Sequence, residues 1–238
     1  MKEGGCMFFP YYFDPTYILV IIGVILSLAA SAKVRSTFAK YSRVRSSSGV
    51  TGAETAERIL HRAGIYDVTI ERVHGQLTDH YDPRKKVLRL SDSVYGSNSL
   101  AAIGVAAHEC GHAIQHQNAY APLKIRSALV PVANFGSMIA WPLILIGLLL
   151  TGSQTLINIG IILFSTAVLF QLVTLPVEFN ASRRAIQTLG EAGILHYEEL
   201  KQSKKVLDAA ALTYVAAAAA TILQLLRLIL LFGGRRRD

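Results

Sequence analysis

Cysteine is nearly missing from this chain. Its 238 residues hold two, Cys6 and Cys110, with no Cys-x-x-Cys pair. That excludes a disulfide-built scaffold and a thiolate-rich metal site. Charge is scarce as well: 17% of residues are charged and 52% are hydrophobic, whereas a soluble globule carries roughly a quarter charged residues. The same balance excludes a disordered chain, which needs high charge and low hydrophobicity. The formal net charge is +8, from 24 Lys and Arg against 16 Asp and Glu. This excess does not point to nucleic acid. Most basic residues stand beside apolar runs, and few aromatics are interleaved with them.

The missing charges leave three gaps. Eighteen uncharged residues separate Asp14 from Lys33, 51 separate Arg126 from Glu178, and 18 separate Asp208 from Arg227. About 20 apolar residues in a helix cross a bilayer core about 30 Å thick. The longest gap therefore holds two crossings, broken by the polar cluster Thr151-Gly152-Ser153-Gln154. It predicts a transmembrane hairpin over residues 128–150 and 155–177. Pro131, Pro142 and Pro176 are compatible with membrane helices whose neighbours satisfy the freed carbonyls.

Residues 17–32 predict a first membrane helix. Lys33, Arg35, Lys40, Arg43 and Arg45 follow it with no acid before Glu54. That places its C-terminal side in the cytoplasm by the positive-inside rule. The last apolar run, 209–232, contains Arg227 and precedes Arg235, Arg236 and Arg237. It either crosses, against the charge rule, or lies along the inner surface with its arginines on anionic lipid. Three and four crossings both remain open. The expected organisation is an N-terminal segment and anchor (1–32), a cytoplasmic catalytic segment (33–127), the hairpin (128–177), and a last part (178–238) with a Glu-bearing helix and a membrane or interfacial helix. The fold class is mainly α, with a small β element.

Within the polar segments, residues 51–61 read as a helix with Thr51 and Glu54 as a capping box and Gly64 at its end. Residues 66–73 alternate and are β-branched, so they read as a strand, as do residues 87–90. Asp82-Pro83-Arg84 reads as a turn. From about Asn98 the pattern becomes helical.

His108-Glu109-Cys110-Gly111-His112 fits H-E-x-x-H within that helix. Residues four apart lie one above the other on a helix face. Two imidazoles there can converge on one Zn²⁺. Glu109 lies about 100° around the helix, badly placed as a ligand but able to take a proton from a water at the metal. The helix is alanine-rich and looks buried. Two histidines and a glutamate buried there without partners would cost several kcal/mol. His116 continues the stripe at the same spacing, in a supporting or surface role. His61, His74, His80 and His196 show no ligand spacing and read as structural or exposed.

A catalytic zinc takes three protein ligands and keeps one position open. The best third candidate is Glu178, the first charge after the long gap. A two-crossing hairpin returns the chain to the side it left, so Glu178 emerges on the same face as His112. It could instead mark the interface, or pair with Arg183 or Arg184.

AAHECGHAIQH, then a hydrophobic hairpin, then PVEFNASRRA resembles the membrane-bound neutral zinc metallopeptidases of the YugP-like family, over nearly the whole chain. More distantly the chain is similar to HtpX-like and CAAX-prenyl zinc proteases, in which an HExxH helix and a later E-x-x-x-D helix share one zinc. The resemblance implies a zincin-like core with His108, His112 and Glu178 as ligands, Glu109 as general base, and a cytoplasm-facing site. Ser182 stands where the E-x-x-x-D aspartate would be, so the group orienting the ligands is expected elsewhere. The resemblance also suggests that Val87, Leu88, Arg89 and Leu90 form an edge strand for peptide addition. An oxyanion stabiliser is expected from Tyr214, His196 or Arg183.

The expected protein is thus a zinc-dependent endopeptidase of a bacterial inner membrane, multi-pass, acting on polypeptides. A metal-binding membrane protein without hydrolysis, or a scaffold with a vestigial site, is the alternative. The hairpin carries no ionisable residue, which counts against transport.

Overall fold

The computed structural model describes residues 14–233. Glu3, Cys6, Arg235, Arg236 and Arg237 lie outside them. The architecture is mainly helical with one small sheet. In chain order come α1 (Tyr17–Tyr41), α2 (Gly52–Arg62), β1 (Thr69–Val73), β2 (His80–Asp82), β3 (Val87–Ser91), α3 (Asp92–Tyr95), α4 (Leu100–Gln117), α5 (Ala121–Leu145), α6 (Gln154–Glu191) and α7 (Tyr197–Phe232). A π-helical turn, Ile146–Thr151, prolongs α5.

Four helices are long and apolar enough to cross a membrane: α1, α5 with its π-helical extension, α6 and α7. At 1.5 Å per residue α6 runs about 57 Å, far more than a bilayer core about 30 Å thick. Its apolar first half accounts for the crossing, and the half bearing Glu178 and Glu191 projects past it. Pro176 does not stop the helix.

The hairpin turn forms where the polar cluster predicts it. Gly152 takes a left-handed φ of 61°, and Ser153 caps α6. The two arms close tightly at Gly160, where a Cβ would meet the Ala140 carbonyl at 2.9 Å.

The last apolar run is the far part of one 36-residue helix, α7, which is long and apolar enough to cross a membrane. It packs along α1, and at Gly23 a Cβ would sit 3.2 Å from Ala220. At its end, Gln154 Nε2 from the hairpin turn donates to Phe232 O at 2.8 Å. Arg227 is held there too: it pairs with Asp14 at 3.2 Å and stacks over Tyr17 at 4.2 Å. The start of α1, the hairpin turn and the end of α7 thus share one end of the bundle, and Arg227 stays in an apolar helix because it has a carboxylate and a ring to meet.

At the other end sits the polar part of the chain. Thr51 and Glu54 form the expected capping box on α2, with Glu54 N donating to Thr51 Oγ1 at 3.3 Å and Thr51 N to Glu54 Oε2 at 2.8 Å. Asp82 Oδ1 accepts from Arg84 N and Lys85 N, which makes the expected turn. β1 is shorter than its alternation suggests and starts at Thr69. β2 has no apolar pattern and was not expected.

The strand order is β1-β3-β2, with β1 parallel and β2 antiparallel to β3. The strand of Val87, Leu88, Arg89 and Leu90 is therefore central, not an edge. Both of its sides already carry ladders, and Leu88 and Leu90 are fully buried against α4. β3 thus lies between its two neighbours and offers no free edge along Val87–Arg89; the edge strands are β1 and β2.

Engineered single cysteines test the shared bundle end. In a cysteine-free background, a membrane-impermeant thiol reagent should label cysteines at Gly152 and Gly233 from one face and at Ser47 from the other. Labelling of Gly233 from the Ser47 face would mean that α7 does not cross.

Candidate metal centre

Helix α4 starts where Ser99 Oγ accepts from Ala102 N at 3.2 Å. Its alanines leave a thin helix that neighbours approach closely, and nearly all of it is buried. Gly111 marks the closest approach to α6: a Cβ there would lie 2.6 Å from Ala181 O. Glu178 sits one turn before Ala181 on α6, so this crossing carries its carboxylate to the histidine face of α4.

Glu178 Oε2 lies 3.3 Å from His108 Nε2 and 3.5 Å from His112 Nε2. The imidazole rings stand nearly perpendicular, 4.8 Å between centroids. One nitrogen from each ring and one carboxylate oxygen all fall within 4.8 Å of one another.

Each donor is held from behind. Ser182 Oγ lies 3.1 Å from His108 Nδ1. Gln115 Oε1 lies 3.1 Å from His112 Nδ1. The Gln115 amide is oriented by two acceptors, Val177 O at 2.8 Å and Asn180 Oδ1 at 3.0 Å. Its oxygen must therefore face the ring, which calls for the proton on Nδ1 and leaves the Nε2 lone pair free. Arg126 Nη1 donates to Glu178 Oε1 at 3.1 Å, which leaves Oε2 to the histidines.

The donor set fits a metal. Glu178 is 2% exposed, and its Oε2 is buried with no hydrogen-bond partner. Two imidazole lone pairs and a carboxylate oxygen aimed at one point repel one another unless a cation or protons lie between them. Two imidazoles and one carboxylate are a common ligand set for catalytic Zn²⁺. Without a metal, protons fill the role. Burial opposes charge on His112, but the close Glu178 carboxylate and the charge of Glu109 outweigh it and hold the ring above its ordinary value.

A cleft of about 290 Å³ opens beside this cluster, lined in part by Asp79, His80, Tyr81, Glu109, Arg126 and Tyr214. Glu109 is 8% exposed, buried but facing the cleft. Burial pushes the Asp79 carboxyl up, against the bonds it accepts from Ser91 N and Oγ at 2.7 and 2.9 Å.

Of the three oxyanion candidates only Tyr214 lines this cleft. His196 caps the start of α7 and is exposed. Arg183 lies in a separate groove with Lys204 and Asp208. Ser182, expected to be uninvolved, does touch a histidine, because α6 stays helical through Pro176 and turns the residue four after Glu178 to the same face. Glu178 pairs with Arg126, not Arg183 or Arg184. His116 is not in the cluster; its Nδ1 meets Tyr81 Oη at 3.0 Å. Cys110 faces Ala56 O at 3.6 Å in the core, and burial pushes its thiol well up. His80 is exposed, as expected, and also lines the cleft.

Arg126, Gln115 and Asp79 were not singled out from sequence. Arg126 had a signal: it is the last charge before the 51-residue gap, as Glu178 is the first after it. A hairpin closes those two positions on each other.

Zinc titrations of purified protein test the cluster. Ser182→Ala and Gln115→Ala should each weaken zinc by about 10–100-fold, the usual cost of losing a group that orients a ligand. Affinity should fall as pH drops, beginning above the ordinary histidine value of about 6.5 because His112 is held higher and must lose its proton to bind. A pH-independent affinity, or full affinity in both variants, would place the metal elsewhere.

Comparison with known proteins agrees with this geometry. Residues 16–233 match the family described as "Putative neutral zinc metallopeptidase". The chain is 55% identical over 214 residues to the "Putative membrane protease YugP" of Bacillus subtilis (strain 168), covering 90% of this chain and 95% of that one. No solved structure matches. The chain therefore belongs to this family of neutral zinc metallopeptidases.

Proposed function

We propose that this protein is a zinc-dependent endopeptidase of the bacterial cell membrane, multi-pass, with a zincin-like site that opens to the cytoplasm. The observation that carries the reading is the buried, unpartnered Glu178 Oε2 between two imidazole nitrogens, beside a cleft that holds Glu109. His108, His112 and Glu178 would hold the zinc, which when bound polarises the scissile carbonyl and lowers the pKa of a water toward about 7.

The chain's own groups do the rest. Glu109 takes the proton of the attacking water and delivers it to the leaving amine. Ser182 and Gln115 hold the two rings in one tautomer and orientation. Arg126 binds one oxygen of Glu178 and leaves the other for the metal. Tyr214 is the candidate donor to the oxyanion, since it reaches the cleft and His196 and Arg183 do not. The substrate backbone adds to the edge strand β2, whose His80 and Tyr81 line the cleft.

Orientation rests on charge. Lys33, Arg35, Lys40, Arg43 and Arg45 gather at the end of α1 that faces the site, and such residues stay cytoplasmic. The catalytic segment 33–127 then lies in the cytoplasm and the hairpin 128–177 in the bilayer. The cleft borrows Arg126, Glu178 and Tyr214 from the helices that cross. Its polypeptide substrates are accordingly membrane-associated.

Glu109→Gln decides between hydrolysis and mere metal binding. Zinc should remain at one per chain, while cleavage of casein or a quenched peptide falls by at least about 10²–10⁴-fold. Metal-dependent cleavage that survives the substitution would remove Glu109 from the mechanism. A wild type that binds zinc and cleaves nothing would favour a metal-binding protein without hydrolysis.

A further inference from the structure

We propose that the substrate cleft continues into a subsite for a carboxylate, held by Arg84 and Lys124 between the β2–β3 turn and the first turns of α5. This rests on the peptidase reading above and names the substrate chemistry that the reading leaves open.

A groove of about 490 Å³ lies there. It is continuous with the catalytic cleft, because Pro83, Leu123, Ser127 and Val130 line both. Tyr120, Leu123, Lys124 and Ser127 recur at helical spacing, so one face of α5 forms a wall running from the cleft into the groove. The opposite wall is the turn after β2. Pro83 and the two backbone bonds to Asp82 Oδ1 stiffen that turn and fix where Arg84 starts.

Charge selects the occupant. Among the described residues neither Arg84 nor Lys124 forms an ion pair, whereas Arg126 in the cleft is paired with Glu178, and no carboxylate lines the groove. Asp82, in the same turn, is committed to its own backbone and to Arg89 at 3.7 Å. The cleft next door is rich in acid, with Asp79, Glu109 and Glu178. An acidic group on a substrate is attracted to the groove, whose two cations meet no carboxylate among its lining residues. Leu123, Val130 and Tyr120 also line the groove, which suits the methylenes of a glutamate or the side chain of a terminal residue.

A peptide laid on β2 advances about 3.3 Å per residue. β2 spans His80–Asp82, so the groove lies within about 13 Å, at most four such steps, of the cleft residue Asp79. The recognised carboxylate therefore belongs within about four residues of the scissile bond. It can be a side chain or the chain's own C-terminus.

The test uses quenched-fluorescent peptides with Glu, Gln or Lys at each of the four positions on either side of the bond. A second set ends at those positions as free acid or amide. Wild type should prefer Glu to Lys at one position by about tenfold in kcat/KM, a modest ratio in keeping with partly exposed charges. Arg84→Glu with Lys124→Glu should invert the ratio, and Arg84→Gln with Lys124→Gln should bring it near one. A preference seen only between free acid and amide assigns the carboxylate to the chain end. The same ratio in wild type and both double variants overturns the subsite. Anisotropy of the labelled peptides on Glu109→Gln protein, alone and with each double variant, reads the same ratios as binding. If no peptide is cleaved yet the binding ratio inverts, the hydrolytic reading fails and the subsite stands.

Discussion

One close helix crossing holds the site together. Gly111 lets α4 and α6 approach until backbone nearly meets backbone, and Ala181 on the other side is equally small. A buried carboxylate and two largely buried imidazoles then share one pocket. A buried carboxylate oxygen without a hydrogen bond costs several kcal/mol unless a cation answers it. The crossing thus creates an electrostatic debt that a metal cancels, and Arg126 offsets only half of it by binding the other oxygen.

That crossing needs a long reach. Glu178 follows His112 by 66 residues, most of them spent in the hairpin of α5 and α6. Both arms of the excursion are helical, they pack at Gly160, and the turn is capped. The helix pair therefore returns a carboxylate, and Arg126 with it, to the place the chain left. Helices that outrun the bilayer supply cleft walls, so the polar segment need not build a full enzyme core.

Much of this was legible in the residues. H-E-x-x-H, the capping box at Thr51, the turn at Asp82 and the break at Thr151–Gln154 each carry a local physical signature and each was found. β2 was not, because three residues, His-Tyr-Asp, have no periodicity to read. The edge assignment for Val87–Leu90 failed for a related reason: a strand's pattern tells which residues alternate or are buried, not which neighbours flank it. Ser182 departs from the E-x-x-x-D pattern, which put the expected orienting group elsewhere, yet a hydroxyl four residues along the helix from Glu178 suffices to bond the His108 ring nitrogen.

The sequence by itself determined the chemistry available and where the chain is apolar, since helical spacing and charge gaps are local properties. It also placed Glu178 on the same side as the histidines, because a two-crossing path must return. Only the tertiary structure decided which groups stand behind the ligands, that Arg126 and not Arg183 or Arg184 meets Glu178, that β3 is central, and that α7 runs alongside α1. Those outcomes depend on contacts between residues tens to hundreds of positions apart. Their selection comes from how helices pack and which polar atoms remain to be satisfied, and no window of sequence contains that information.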